Sequence, residues 1–384
     1  MSWLLIAALV DWVGTGLFLA VSTVYFLRVT GLSTVEVGAG LTVAALVAMP
    51  AALPVGRLAD RLGPRPVLVA VELVQGLATA GYLVVRGFWA FLAVALVVAV
   101  TQQAVPPLIQ TLVAELAAGE WRTKVLALHR TVINVGLAAG GLVAGVLLGS
   151  GLPHAFQVLL VADAVAFVVA AVLLGRLPGG TRPRAHVATA RRRALRDPRL
   201  LLLTGYDAVL SLWQPMLTVA FPLWLVTRTD APLSLVGVLY AVASGCAILL
   251  QYPAGALVTT PRRAWRGYAL AAGCLGAASV GFAVAPTGTG GVTIAVLAAA
   301  VVVLTAGEVA QVGSAWTLSL ALAPAEDRGS FLATFAIGRA LGRGAGPLLM
   351  TGAVLALGVP GWLGLAGFFV AAAVVAAFVG SVPR

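Results

Sequence analysis

The sequence predicts an all-α membrane protein of twelve transmembrane helices, arranged as two pseudo-symmetric six-helix bundles. Three observations lead there. Hydrophobic residues make up 61% of the 384-residue chain and charged residues only 10%, whereas a soluble domain covers its surface with about 25% charged residues. Apolar runs of about 20 residues or more, the length that crosses a bilayer as a helix, recur from end to end. One long polar stretch, residues 176–198, parts six of these runs from the other six. A transmembrane β-barrel does not fit, because its strands alternate polar and apolar residues over about 10 positions.

The runs lie near residues 3–27, 33–56, 66–86, 88–116, 124–150 and 153–175 in the first half. In the second half they lie near 199–226, 233–257, 264–285, 291–321, 328–356 and 360–381. The predicted domains are therefore 1–175 and 199–384, joined by the basic linker 176–198 with its Arg191-Arg192-Arg193 triplet.

Taken in order, span 1 carries Asp11, roughly 12 Å from its start at about 1.5 Å per helical residue. Span 2 runs into a charged turn, Gly-Arg-Leu-Ala-Asp-Arg-Leu-Gly-Pro-Arg from Gly56 to Arg65, with Gly56 and Gly63 expected at its bends. Span 3 has Glu72 close enough to the interface to be solvated. In span 4, Gln102 and Gln103 stand beside Pro106-Pro107, which suggests an irregular stretch, a simple kink being the commoner explanation. Glu115 ends that span. Span 5 reads Gly136-x-x-x-Gly140-Gly141-x-x-x-Gly145; glycines four apart share a helix face and let a neighbouring backbone come close. Span 6 holds Asp163 at mid-length. Span 7 places Asp207 at a depth similar to Asp11, among Tyr206, Trp213 and Gln214. Cys246 and Cys274, in spans 8 and 9, read as free thiols serving as small apolar residues. Glu308 lies in span 10. Arg339, roughly 16 Å deep in span 11, is followed one turn later on the same face by Arg343 and then by Gly346-Pro347. Span 12 completes the second bundle.

The halves repeat weakly. Ala117-Ala118-Gly119-Glu120-Trp121-Arg122 answers Ala323-Pro324-Ala325-Glu326-Asp327-Arg328 at an offset of 206 residues, and the same offset pairs Gly136 with Gly342 and Gly140-Gly141 with Gly346-Pro347. The net charge of +11 does not indicate a nucleic-acid partner. Of 24 Lys and Arg, 19 fall in even-numbered loops or near the C-terminus, which by the positive-inside rule puts both termini in the cytoplasm of a plasma-membrane protein. No cleavable signal is apparent.

The charged turn resembles the signature loop between helices 2 and 3 of the major facilitator superfamily, G-x-x-x-D-R-x-G-x-R, and the twelve spans, basic central loop and half-to-half repeat extend that resemblance over essentially the whole chain. It implies the major facilitator fold, in which spans 1, 4, 7 and 10 line a central cavity and spans 2, 5, 8 and 11 shape the interface between halves. The glycine run Gly136, Gly140, Gly141, Gly145 resembles the span 5 motif of drug-exporting members, with Gly141 in place of a proline; span 11 keeps the Gly-Pro step at Gly346. The arginine that exporters often carry in span 4 is absent, since the chain has Thr101-Gln102-Gln103-Ala104 there. Gly307-Glu308 resembles a span 10 step of one branch of drug/proton antiporters.

Charges within a bilayer cost roughly 2.5–3.5 kcal/mol each on insertion scales and are functional candidates by default. Asp11, Glu308 and Asp207 are accordingly the candidate proton carriers, with Arg339 as their switching partner; a permanent Glu308–Arg339 pair is the structural alternative. Gly56, Asp60, Arg61, Gly63 and Arg65 are the gating candidates, with Arg65 or Arg61 expected to pair with Glu115 and Asp60 to cap a helix N-terminus. Gln102, Gln103, Tyr206, Trp213, Gln214 and Arg343 are candidates for the substrate cavity, packing roles being open for each.

These expectations add up to a secondary active transporter working by alternating access, in the first place a proton-coupled exporter of amphiphilic small molecules or drugs. The alternative is a proton symporter or facilitator for uptake of a polar metabolite, which a cavity richer in paired charges and amides would favour. No phosphate loop or nucleophile elbow points to an enzyme, and His129, His154 and His186 have no metal-ligand spacing. The expected partners are a small-molecule substrate, protons and the lipid bilayer, with no cofactor and no nucleic acid, the chain acting as a monomer.

Overall fold

The computed structural model describes residues 2–19, 21–117, 119–177, 197–323 and 328–381. Most of the 176–198 linker, residues 324–327 of the repeated segment and Arg384 lie outside the described residues. The chain forms two compact units: Met1–His186 with Pro232–Gly245, and Val187–Ala231 with Cys246–Arg384.

In the first unit, span 1 consists of α1 (Ser2–Leu19) and α2 (Ser22–Arg28), span 2 of α3 (Thr34–Leu62) and span 3 of α4 (Pro64–Gly81). Spans 4, 5 and 6 are α5 (Phe88–Leu116), α6 (Gly119–Gly149) and α7 (Ala155–Gly175). Helix α3 starts at a reciprocal cap: the Ser33 hydroxyl accepts from the Glu36 amide at 3.3 Å, and the Ser33 amide donates to Glu36 Oε2 at 2.8 Å. Two packed layers bracket the middle of the unit. At the end bearing Arg57 and Arg61, Leu4, Leu68, Leu108 and Leu112 form an apolar plug. At the other end Phe26 packs on Phe91 and Tyr82 with ring centroids 4.7 and 4.8 Å apart, and the Tyr25 hydroxyl donates to the Tyr82 carbonyl at 3.0 Å.

The second unit holds span 7 in pieces: α8 (Pro198–Leu210), α9 (Trp213–Pro215), a π-helical stretch Met216–Ala220, and α10 (Phe221–Arg228). Asp197 caps α8 through the amides of Arg199 and Leu200, at 2.9 and 3.3 Å. The break follows from Pro215, which has no N–H to continue the ladder. Helix α11 (Ser234–Leu257) is span 8, and it belongs to the first unit as far as Gly245 and to the second from Cys246. In the second unit α12 (Pro261–Val284) is span 9, α13 (Gly291–Leu322) span 10, α14 (Arg328–Leu349) span 11 and α15 (Val359–Ser381) span 12. A second π-helical stretch, Met350–Leu355, follows Pro347 in α14. Trp224, Trp362 and Phe282 fill the core beside it, and the Trp224 indole N–H donates to the Phe282 carbonyl at 2.7 Å.

Among the described residues, eleven helices are long and apolar enough to cross a membrane. Span 11 is the predicted one outside that set, because Arg339 and Arg343 lower its hydropathy; with the π stretch it still continues from Arg328 to Leu355.

Two local expectations need correction. The charged turn is not an extended loop: α3 continues through Gly56, Asp60 and Arg61 to Leu62, and only Gly63 breaks the helix, at φ +90°. Gly56 is therefore no bend. A left-handed φ at one residue suffices because Pro64 starts the next helix without needing an N–H partner. Span 4 is not irregular, since α5 runs unbroken through Pro106 and Pro107.

Candidate functional site

The most polar point of the second unit is built around Asp207. Its side chain is 0% exposed. Oδ1 accepts from the Tyr268 hydroxyl at 2.8 Å and from Gln311 Nε2, and Oδ2 accepts from Arg339 Nε at 3.0 Å. Four spans thus contribute one side chain each: 7, 9, 10 and 11. Backbone approach makes this possible. Gly338 and Gly342 flank Arg339, and a Cβ on Gly342 would come within 2.8 Å of the Ala208 carbonyl carbon, so α14 lies directly on α8. Gly307 does the same for α13, where an added Cβ would stand 3.1 Å from the Ala271 carbonyl oxygen of α12. The Arg339 side chain is 26% exposed and its guanidinium sits 5.5 Å over the Phe335 ring. A fully paired buried carboxylate with a half-buried guanidinium can release that guanidinium when its own charge is cancelled.

Asp11 is the equivalent residue of the first unit. Trp12, the next residue, faces Gly136, where an added Cβ would stand 2.8 Å from the Trp12 Cβ, as Ala208 after Asp207 faces Gly342, and Gly136 and Gly342 are the repeat-related pair. Asp11 is partly exposed. Glu72 is not solvated as its place near the start of span 3 suggested; it is 2% exposed, on the same buried face of α4 as Gln75. Asp163 packs inward at 5% exposed.

At the charged corner, Gly56, Asp60 and Arg61 are exposed. Arg65 does not pair with Glu115. Its Nη2 donates to the carbonyl of Gly175, the last residue of α7, where a cation complements the negative helix end. Glu115 Oε2 is buried with no hydrogen-bond partner.

The glycine run of span 5 divides its work. Gly136 and Gly140 lie against Trp12, Val13 and Gly16 of α1; a Cβ on Gly141 would stand 3.0 Å from the Gly237 carbonyl oxygen and one on Gly145 2.9 Å from that of Ser234, both in α11. Gly346 packs on the Pro215 ring.

The remaining candidates separate. The Tyr206 hydroxyl donates to the Ala372 carbonyl of α15 at 2.7 Å while its ring stacks on Tyr268 at 5.2 Å, so it braces the Asp207 network. Gln214 Oε1 is buried without a partner, Trp213 and Glu308 are partly buried, and Gln102, Gln103 and Arg343 are exposed. Tyr268 and Gln311 were missed from sequence. Gln311, an amide one turn beyond Glu308 in an apolar span, was the available signal.

The Major Facilitator Superfamily family model matches residues 4–347. The chain belongs to the Major Facilitator Superfamily. Solved structures similar to this facilitator include the nucleoside transporter NupG, at 14% identity over 98% of this chain and 97% of that one with a TM-score of 0.77. A bacterial homologue of the human lysosomal transporter Spinster, inward-facing and occupied, shares 16% identity over 99% and 95%, with a TM-score of 0.72. A POT family transporter in complex with 5-aminolevulinic acid shares 10% identity over 99% and 95%, with a TM-score of 0.78. At these identities the likeness is one of fold. No curated protein matches the facilitator in sequence.

Proposed function

We propose that this facilitator is a proton-coupled secondary transporter of a small polar solute, working by alternating access and carrying solute inward with the proton. The observation that carries the reading is the Asp207–Arg339 pair with Tyr268 and Gln311 around it. An amphiphile needs chiefly an apolar wall; a carboxylate, a guanidinium, a phenol and an amide brought together suit a solute that forms hydrogen bonds and carries charge. Similar folds solved as a nucleoside transporter and with bound 5-aminolevulinic acid agree with that class of solute.

In the cycle we infer, solute approaches Arg339 while Asp207 takes a proton. Oδ1 keeps its donors from Tyr268 and Gln311, so the proton goes to Oδ2, the atom Arg339 leaves. The freed guanidinium then binds an anionic or carbonyl group of the solute. Asp11 and Glu308 are the further coupling candidates. The Gly56–Arg65 corner acts as a gate at the cytoplasmic face of the plasma membrane, where both termini lie, and the transporter works as a monomer. The glycine run Gly136–Gly145 favours a second reading, export by antiport.

Proteoliposomes with a lumenal pH dye separate the two. Inward gradients of nucleosides, short peptides and small amino acids should acidify the lumen in the wild type and not in Arg339→Gln. Lumenal alkalinisation driven by lipophilic cations, with no response to polar solutes, would reinstate the exporter.

A further inference from the structure

Three side chains meet at one end of the first unit, where α1 and α4 begin and α7 stops. Gly14 of α1 faces Ala166 of α7, and Gly76 of α4 faces Ala164 and Phe167, so both helices lie on α7. Trp3 stands eleven residues before Gly14, Arg65 eleven before Gly76 and Arg176 ten after Ala166. At about 1.5 Å per helical residue these offsets bring the three to one level. Two contacts tie them together. The Arg176 guanidinium lies 5.3 Å over the Trp3 ring, and Arg65 Nη2 donates to the carbonyl of Gly175, the residue that leads into Arg176.

The arrangement leaves donors and charge over. A guanidinium stacked by its face keeps its N–H groups directed outward in its own plane. Among the described residues no protein acceptor takes a bond from Arg176, which is exposed, and Arg65 gives one N–H group to Gly175 and keeps the others. No carboxylate pairs with either cation among the described residues. Arg65 also stands in the first turn of α4, the positive end of that helix, with no acidic residue in the turn and no side-chain cap from Gly63. The negative end of α7 supplies about half an elementary charge, against two full positive ones. Asp60 of α3 has Arg57 one turn before it and Arg61 next to it, and the chain from Arg176 to Arg196 contains no Asp or Glu. The corner is therefore complementary to an anion.

The surface below it says which anion. On α7, Val172, Val169, Val165, Val161 and Val158 are all exposed, and their spacing puts them on the helix face that leads up to Arg176. From Val172 to Val158 this apolar stripe runs about 21 Å, more than half of a hydrocarbon core about 30 Å thick. A molecule that fits both parts has a phosphate at the level of the arginines and an acyl chain beneath it. A soluble phosphate uses the first part alone.

We propose that Arg65, Arg176 and Trp3 form a headgroup site for an anionic phospholipid of the surrounding bilayer, with an acyl chain laid along the valine stripe of α7. The phosphate accepts from the in-plane N–H groups of Arg176 and from those Arg65 has left, while the indole fixes the plane of the Arg176 guanidinium. The site is separate from the Asp207 network and independent of the solute and of the direction of transport.

Its test is lipid retention by the full-length protein, purified in detergent, titrated with phosphatidylglycerol or phosphatidylcholine of identical acyl chains and read by native mass spectrometry. The first phosphatidylglycerol should bind on the order of tenfold more tightly than phosphatidylcholine, the scale of a charge-assisted hydrogen bond. Arg176→Gln, Arg65→Gln and Trp3→Leu should each remove most of that preference. Arg122→Gln, at an exposed arginine of α6, should leave it intact. Millimolar glycerol 3-phosphate should not displace the lipid. Equal retention of the two lipids, a preference untouched by Arg176→Gln, or one lowered as much by Arg122→Gln would overturn the proposal, and displacement by glycerol 3-phosphate would overturn the assignment to a lipid. Should Arg65→Gln loosen α4 from α7 and fail to fold, Arg176→Gln, at an exposed side chain, decides the matter.

Discussion

Replacing Asp207 by Asn tests the C-terminal network most directly. In the wild type Oδ1 takes two donors and Oδ2 takes Arg339 Nε at 3.0 Å, in a side chain with no solvent exposure. Asn keeps one acceptor, so Tyr268 and Gln311 retain their partner. Its amide nitrogen then faces Arg339 Nε, donor against donor, and the ion pair is gone. Breaking a buried pair by removing one partner costs about 3–5 kcal/mol. Arg339 is 26% exposed, and a partner that is not fully buried places the expected loss at the low end, about 3 kcal/mol. For a unit of this size each kcal/mol lowers the midpoint by about 2–4 °C, so thermal unfolding of the purified protein at a fixed scan rate should fall by roughly 6–12 °C. Arg339→Gln in the same background should recover part of the loss, a coupling of about 1–3 kcal/mol in a double-mutant cycle. A midpoint unmoved by Asp207→Asn, with additive behaviour in the cycle, would refute the claim that this pair holds spans 7 and 11 together.

Other expectations are independent of that pair. Asp60→Asn, exposed at the end of α3, should slow transport and leave solute affinity intact; weakened binding at unchanged turnover would remove it from the gate. Asp11→Asn or Glu308→Gln should abolish pH-driven accumulation but permit downhill exchange, measured as counterflow in proteoliposomes. Gly140→Leu should destabilise by about 1–3 kcal/mol or more, because a Cβ there meets the Val13 carbonyl oxygen and the Gly16 backbone, whereas Gly205→Leu, with open space around its Cβ position, should leave the midpoint unchanged. Gly63→Ala, forced to adopt φ +90°, should cost about 1–2 kcal/mol, read as a lowered midpoint with no loss of solute binding.

Much of the architecture is legible along the chain, since burial in lipid imposes local rules. A helix must satisfy its backbone within itself, so span length and apolar composition register in sequence windows. Glycine four-spacing likewise announces close backbone approach, and Gly136 and Gly342 behave as the repeat predicts. What tertiary structure alone decided is which polar groups meet. Asp11, Asp207, Glu308 and Arg339 stand at comparable depths in the sequence, and depth says nothing about rotation around each helix axis. Folding pairs Arg339 with Asp207 through the glycines beside it and recruits Tyr268 and Gln311, which no spacing marked. It also turns Glu72 inward, from a residue that its position near a helix end marked as solvated to one buried beside Gln75. Arg65 could reach a carboxylate or a helix end, and the arrival of α7 at Gly175 settles it in favour of the helix end. Composition and periodicity are properties of one segment, while a polar network depends on the approach of several, and that approach is set by packing between residues far apart in the chain.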